Sequence, residues 1–570
     1  MRKSLLFLLP AVLGLPVAQA DVTLPPLISD NVLLQSGHAA VWGQADPGEK
    51  VTVTLGKTKA TATADKNGKW RVQLLGLKPG EAGAMTVAGK NNLTVQNVAV
   101  GDVWVCSGQS NMEMTVTNSS PGYRGVIDYQ KEIADANHPQ LRLFTVPRKP
   151  SETPLAEIAG KWEVCTPETV PHWSATGYFF GRQLQQDLKI PIGLIHTSWG
   201  GTSAQAWTPT DALQGDADFK AAYYDTRQAE LANLPALKEK YEKETLPAWQ
   251  AAADAAKAEG KQPPRKPRGP FGPNEGPTAS ALFNGMIAGA TPFPIKGAIW
   301  YQGEANAWEG ARYRRLLPAM ITAWREAWNE KDFPFYIVQL ASYMAPRTEP
   351  GDSKWAELRD AQRVIAETLP HTGLAVAIDI GEPDNIHPIN KQEVGRRLAL
   401  AAEAKTYGKP VVYSGPWIDA AKFDGAQVKI TFKPGTAEGL AAKDGAAIKG
   451  FAIAGEDKKF VWAEAKIVEP APTKTKGKKQ PKEAAPAQPT LVLSAPGVEK
   501  PVAVRYAWAN SPAVNLVNKA GLPAVPFRTD DWPQVEQKPA PAATPAAKPS
   551  ATPSPTATPA PSPAATPVAS

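Results

Sequence analysis

The chain has 570 residues, too many for one ordinary domain, with 43% hydrophobic and 21% charged residues and a formal net charge of +7. That charge is too modest to select a nucleic-acid partner. The only two cysteines, Cys106 and Cys165, form no Cys-x-x-Cys pair, and past the first twenty residues no unbroken apolar stretch of about 20 residues offers a membrane span.

Met1-Arg-Lys, an apolar run from Ser4 to Val17 and Ala18-Gln-Ala20 form a predicted secretory signal over 1–20, cut before Asp21. This predicts export to a periplasmic or extracellular location. Residues 21–100 run in short alternating stretches such as Val51-Thr-Val-Thr-Leu55 and Trp70-Arg-Val-Gln-Leu74, separated by Asp46-Pro-Gly48, Lys66-Asn-Gly68 and Lys78-Pro-Gly80. Such punctuation predicts a small antiparallel β-sandwich.

From 101 to 410 apolar strand candidates (Val103 to Cys106, Ile192 to His196, Gly297 to Tyr301, Phe335 to Leu340, Leu374 to Ile380) alternate with helical patterns. The helices are predicted at Ala175 to Leu188, Ala311 to Trp328, Trp355 to Thr368 and Lys391 to Lys405. Alternation of this kind predicts an α/β fold, a three-layer parallel sheet with helices on both faces. An insertion over 227–272, rich in Ala, Lys and Glu and ending in Gln262-Pro-Pro-Arg-Lys-Pro-Arg-Gly-Pro270, reads as a helical excursion with a returning loop. Residues 411–535 return to short strand runs and predict a second β domain. Within it the Lys/Pro-rich stretch 469–489 has no aromatic interleaving and reads as a solvated loop, so no nucleic-acid partner is expected. The Pro, Ala, Thr and Ser repeats of 536–570 cannot bury a core and predict a disordered tail.

In an open α/β sheet, ligands bind beyond the carboxyl ends of the strands. Ser110 follows the first strand, in Val103-Trp-Val-Cys-Ser-Gly-Gln-Ser-Asn-Met112. Gly200-Gly201-Thr202 follows the second, Gln302-Gly-Glu304 the third and Asp384-Asn-Ile-His387 the fifth. A serine hydroxyl becomes a nucleophile when a base takes its proton, and a carboxylate can orient that base. Of the six histidines, His38 lies in the front sandwich, His138 in a linker, His172 before a helix, and His371 at the start of its strand. His196 falls in an apolar run and reads as a core residue. His387, with Asp384 three residues upstream, is the candidate base. No His-Glu-x-x-His and no phosphate loop with its lysine occurs, so no metal or cofactor is expected.

These blocks resemble the sialate O-acetylesterase family of the SGNH (GDSL-like) hydrolases. The likeness rests on Ser107-Gly-Gln-Ser-Asn-Met112, Trp199-Gly-Gly-Thr202, Trp300-Tyr-Gln-Gly-Glu304 and Ile386-His-Pro388 with Lys391-Gln-Glu-Val-Gly395, and on Asn31-Val-Leu-Leu-Gln35, Phe179-Phe-Gly-Arg182 and Leu358-Arg-Asp-Ala-Gln362. It implies an SGNH-type, flavodoxin-like catalytic unit flanked by β-sandwich-like domains. It also implies a serine esterase that removes O-acetyl groups from sialic acids or related sugars through an acetyl-enzyme. Ser110 would be the nucleophile, His387 the base and Asp384 the orienting acid, with Glu304 or Asp379 as alternatives. The oxyanion would be held by the N–H groups of Ser110 and Gly201 and by the Gln302 amide. Two other readings stand: an acetylxylan or plant-polysaccharide acetylesterase, and a non-catalytic carbohydrate-binding protein. Sequence leaves open whether Cys106 and Cys165 pair. Arg359 and Gln362 read as a solvated or packing pair, outside the site.

Overall fold

A computed structural model describes residues 21–118, 122–470 and 488–533. The predicted signal, most of the Lys/Pro-rich stretch and the whole of the tail lie outside the described residues.

The organising element is one 17-residue strand, β1 (Asn92–Gly108). Its first half pairs antiparallel with Gly80–Ala88 and parallel with Leu33–Gln35. Its second half is the centre of a parallel sheet with β2 (His138–Thr145), β3 (Trp162–Cys165), β4 (Ile192–Ser198), β5 (Gly297–Tyr301), β6 (Phe335–Val338) and β7 (Thr372–Ala375). The order is β7-β6-β5-β1-β4-β2-β3, all parallel except the β2–β3 pair. The predicted boundary at residue 100 therefore falls inside a continuous strand. Both halves of β1 carry apolar side chains that a sheet can bury, Val95, Val98 and Val100 in front and Val103 to Cys106 behind.

Beyond β4 the chain crosses β1 to reach β5. This reversal of direction makes the carboxyl end of β1 the switch point at which sheets of this kind place their ligands.

Alternation along β1 feeds two cores. Val103 and Val105 face α3 (Gly310–Ala327) and α4 (Lys354–Thr368), packing with Leu317, Met320, Leu358 and Ile365. Trp104 and Cys106 face α2 (Ala175–Leu188) and α5 (Lys391–Lys405), packing with Phe180, Leu184, Val394 and Leu398. The Trp104 ring meets Phe180 edge-on at 5.2 Å and stacks on Tyr336 at 5.9 Å. Such side chains are worth about 1.5–3 kcal/mol each when fully buried, so the sheet position of β1 is strongly determined. Side-chain caps start three of these helices: Ser174 accepts from Gly177 N–H, Ser353 from Ala356 N–H and Asn390 from Glu393 N–H.

Two sequence expectations change, and for Arg359 the structure decides between the solvated and the packing reading. His138 begins β2 and is not in a linker. The run from Leu374 to Ile380 is strand only to Ala375; Ile378–Ile380 is a short 3-10 turn. Arg359 is fully buried. Its guanidinium donates to the carbonyls of Leu340 (2.8 Å) and Ala341 (2.9 Å) on one side and Ala509 and Asn510 (2.7 Å each) on the other. It thereby stitches the C-terminal β region to the strand ends. That region contains two four-stranded sheets, one joining 418–424, 427–432, 490–494 and 464–468, the other 460–462, 451–454, 503–506 and 527–528.

Cys106 and Cys165 are both free and buried, in β1 and β3. Among the described residues no helix is long and apolar enough to cross a membrane and no cluster of His, Cys, Asp or Glu could hold a metal ion.

Candidate active site

The chain leaves β1 through Gly108, whose φ of +142° is open to glycine and costly for other residues. A Cβ there would also lie 2.2 Å from the Tyr301 carbonyl oxygen of β5. The tight exit turns the next residues into a single helical turn, α1 (Ser110–Glu113), with Ser110 first and 8% exposed.

Gln109 reaches across to the third block, its Oε1 accepting from the N–H groups of Gly303 (3.4 Å) and Ala305 (3.2 Å). Asn111 is the hub. Its Nδ2 donates to a Glu304 carboxylate oxygen and to the Ile386 carbonyl (2.9 Å), and its Oδ1 accepts from Lys391 Nζ (2.6 Å). Lys391, fully buried at the start of α5, also donates to the Pro388 carbonyl (2.8 Å) and sits 5.2 Å over the Tyr301 ring. The histidine turn, Ile386 to Pro388, is thereby fastened to the residue next to Ser110.

A second set of bonds runs through Glu113. One carboxylate oxygen accepts from Gly200 N–H (3.0 Å) and the Tyr123 hydroxyl (3.2 Å), the other from Arg148 Nε (2.8 Å). The Tyr123 ring in turn meets the His387 imidazole edge-on at 5.0 Å.

The glycine turn lies directly against Ser110, since a Cβ on Gly200 would come 3.3 Å from the Ser110 Cβ. Gly200 N–H is committed to Glu113, and the next residue is Gly201. Its φ of +73° is the left-handed conformation a glycine takes readily. Thr202 closes the turn by donating to the Trp199 carbonyl at 2.7 Å.

Gln302 is placed differently from its expected role as an oxyanion donor. Both Nε2 hydrogens are committed, to the Thr202 carbonyl (3.2 Å) and Asn306 Oδ1 (2.8 Å), and the amide is wholly buried. Asn306 Oδ1 also accepts from Ala204 N–H at 2.9 Å. Gln302 therefore holds the glycine turn in position.

His387 is half-buried. Asn385 grips its backbone, Oδ1 accepting from His387 N–H (3.0 Å) and Nδ2 donating to its carbonyl (2.8 Å). Burial and the Lys391 cation lower the imidazole pKa to about 4, opposed by a hydrogen bond to the Gly122 main chain. The ring is thus neutral at ordinary pH, the form a general base needs.

None of the three candidate acids is hydrogen-bonded to His387. Asp384 is at the tip of its loop with its side chain 76% exposed and 3.5 Å from Arg124. Glu382 and Asn385 take the inward positions there, Glu382 accepting from Ile389 N–H (2.8 Å) and from Asn385 Nδ2 (3.1 Å). Asp379 is held by Arg397 at 2.6 and 2.9 Å. Glu304 is bound to Asn111, its other oxygen is an unpartnered buried atom, and burial raises its pKa. The hydrogen bond that raises the imidazole pKa comes from the Gly122 main chain. Because a surface ion pair is worth at most about 1 kcal/mol, Asp384→Asn is expected to keep kcat within about threefold of the parent, measured by initial rates of acetate release. A loss above about a hundredfold would return the orienting role to Asp384.

The family described as "Carbohydrate esterase, sialic acid-specific acetylesterase" matches residues 100–237 and 278–404. The sialate O-acetylesterase of Rattus norvegicus is 33% identical over 428 residues, 68% of this chain and 74% of that one. The chain belongs to this family. The human sialate O-acetylesterase is 31% identical over 428 residues, covering 68% of this chain and 72% of its own. A carbohydrate acetylesterase from Xanthomonas citri, known by crystal structure, is 34% identical with a TM-score of 0.72, covering 90% of this chain and 100% of its own. As a member of the acetylesterase family the protein is a carboxylic ester hydrolase, which sets aside the non-catalytic carbohydrate-binding reading.

The candidate site also contains residues that the sequence motifs did not single out. Asn111, Glu113 and Lys391 stand inside or beside the blocks already singled out, so adjacency was their only sequence signal. Gly122 and Tyr123 had none.

Proposed function

We propose that the protein removes O-acetyl groups from sialic acids or closely related acetylated sugars through an acetyl-enzyme on Ser110, on an SGNH-type catalytic unit and after export. The carrying observation is the double fastening of three strand ends around Ser110. Asn111 binds the histidine turn through the Ile386 carbonyl, and Glu113 binds the glycine turn through Gly200 N–H.

In this reading neutral His387 takes the Ser110 proton as Oγ attacks the acetyl carbonyl. The tetrahedral oxyanion is met by the main-chain N–H groups of Ser110 and Gly201, each such donor being worth about 10²- to 10³-fold in rate. The imidazolium then protonates the leaving sugar oxygen as the C–O bond breaks. Water, deprotonated by His387, attacks the acetyl-enzyme and releases acetate and Ser110. Gln302 acts by holding Thr202. Trp308, next to the third block, exposes its ring at the edge of a groove of about 370 Å³, a surface suited to stacking on a sugar face.

The sialate substrate is supported by the named relatives, and export by the first twenty residues of the sequence. The test is acetate release by the mature protein from 9-O-acetylated sialic acid and, in parallel, from acetylated xylan. Release from the sialic acid is expected. Release from xylan alone would replace the substrate and keep the chemistry, and release from neither would end the reading.

A further inference from the structure

The match to the family model breaks off at 237 and resumes at 278, so most of the insertion lies outside the matched residues. The insertion is firmly built. Arg227, 4% exposed, closes its two ends by donating to the carbonyls of Phe271 and Gly272 (3.0 Å each) and to Glu152 (2.6 Å). Helices over 226–258 lead outward, and the proline-rich return is clipped back onto them. Trp249 Nε1 donates to the Pro264 carbonyl (2.8 Å) and the Tyr241 hydroxyl to the Pro267 carbonyl (2.9 Å). A Cβ on Gly269 would touch the Tyr241 ring at 3.3 Å.

Between these two fixed residues stands Arg268. Its Nη2 reaches the glycine turn, 3.9 Å from where a Cβ on Gly201 would stand. Among the described residues no acceptor engages this guanidinium. Arg148, the other guanidinium at the turn, is committed to Glu113 and lies 5.5 Å over the Trp199 ring. An exposed cation held over an ester-cleaving centre, with both donor edges open, suits a planar anion, because the guanidinium fork matches a carboxylate bidentately.

We propose that Arg268 is a specificity residue, brought over the oxyanion turn by the insertion to bind the carboxylate of an acidic acetylated sugar. This rests on reading the site as a sugar acetylesterase and names the charge class it prefers.

The experiment compares kcat/KM for an O-acetylated sialic acid and for its carboxyl methyl ester, with the parent protein, Arg268→Ala and Arg268→Glu, each checked for folding by thermal unfolding. The parent is expected to prefer the acid by about tenfold to a hundredfold, the usual scale of a charge-assisted contact. Arg268→Ala should bring the ratio close to one, mainly through KM on the acid, and Arg268→Glu should invert it. Two results overturn the proposal and leave the esterase reading standing: a parent that does not discriminate, or an Arg268→Ala variant that keeps the preference. An equal fall on acid and ester, the mark of a donor to the oxyanion, overturns it as well. Failure of the parent on both sugars, with 4-nitrophenyl acetate still cleaved, would instead remove the substrate reading on which it rests.

Discussion

Ser110→Ala is expected to lower acetate release by about 10⁴-fold or more while the protein stays folded, because in the proposed mechanism the acetyl-enzyme forms on Ser110. The residual rate would come from the oxyanion donors and from binding. The substitution removes one oxygen at the first position of α1, and the main-chain bonds there, including Met114 N–H to the Ser110 carbonyl (2.8 Å), do not use it. Unfolding should therefore shift by no more than about 0.5 kcal/mol. A serine-directed organophosphate should modify the parent once and the variant not at all. A variant keeping more than about 1% of parental kcat/KM with its fold intact would move the nucleophile elsewhere.

Lys391→Met should damage both activity and stability, although Lys391 touches no reacting atom in the proposed mechanism. Methionine matches its volume and keeps the contact with Tyr301, but leaves Asn111 Oδ1 and the Pro388 carbonyl without their donor and the Glu304 carboxylate without its nearby cation. Breaking such a buried set costs about 3 kcal/mol, read by urea unfolding. With Asn111 loosened, the His387 turn loses its register on Ser110, and kcat should fall about 10²-fold with KM little changed.

A pH profile separates this role from simple destabilisation. The free imidazole, held near pH 4, should set the acid limb of kcat/KM for the parent well below the ordinary histidine value near 6.5. Since the Lys391 cation helps lower that pKa, its removal should move the limb upward. A limb that stays in place while kcat falls would limit Lys391 to structure.

Much of this arrangement was legible in the residues, and the parts that were not share a physical cause. Strand β5 and helices α2 and α5 begin and end where the apolar pattern places them, because Gly297 to Tyr301 is uniformly apolar after its glycine and because Ser174 and Asn390 are natural caps. Strand β2 was missed because His138-Pro-Gln-Leu-Arg opens on a proline and polar residues. Its Arg142 is buried, donating to the carbonyls of Asn31 and Val32 at 3.1 and 3.2 Å. The convergence of Ser110, Gly201, Gln302 and His387 blocks at the strand ends follows from topology. Which groups are already spent does not: spacing alone cannot say that Gln302 has both hydrogens committed, or that Asn385 and Glu382 occupy the inward positions beside Asp384.

The uninterrupted course of β1 has a consequence for how this protein can change over evolutionary time. A strand advances about 3.3 Å per residue and alternates its faces. One residue gained or lost between 92 and 108 would therefore either carry Ser110 about 3.3 Å from the glycine and histidine turns or exchange the two cores around Val103 to Cys106. The front strands thus act as a ruler for Ser110. They cannot be swapped as a cassette, and new length is tolerated instead at sites such as 227–272, where a single buried arginine closes the detour.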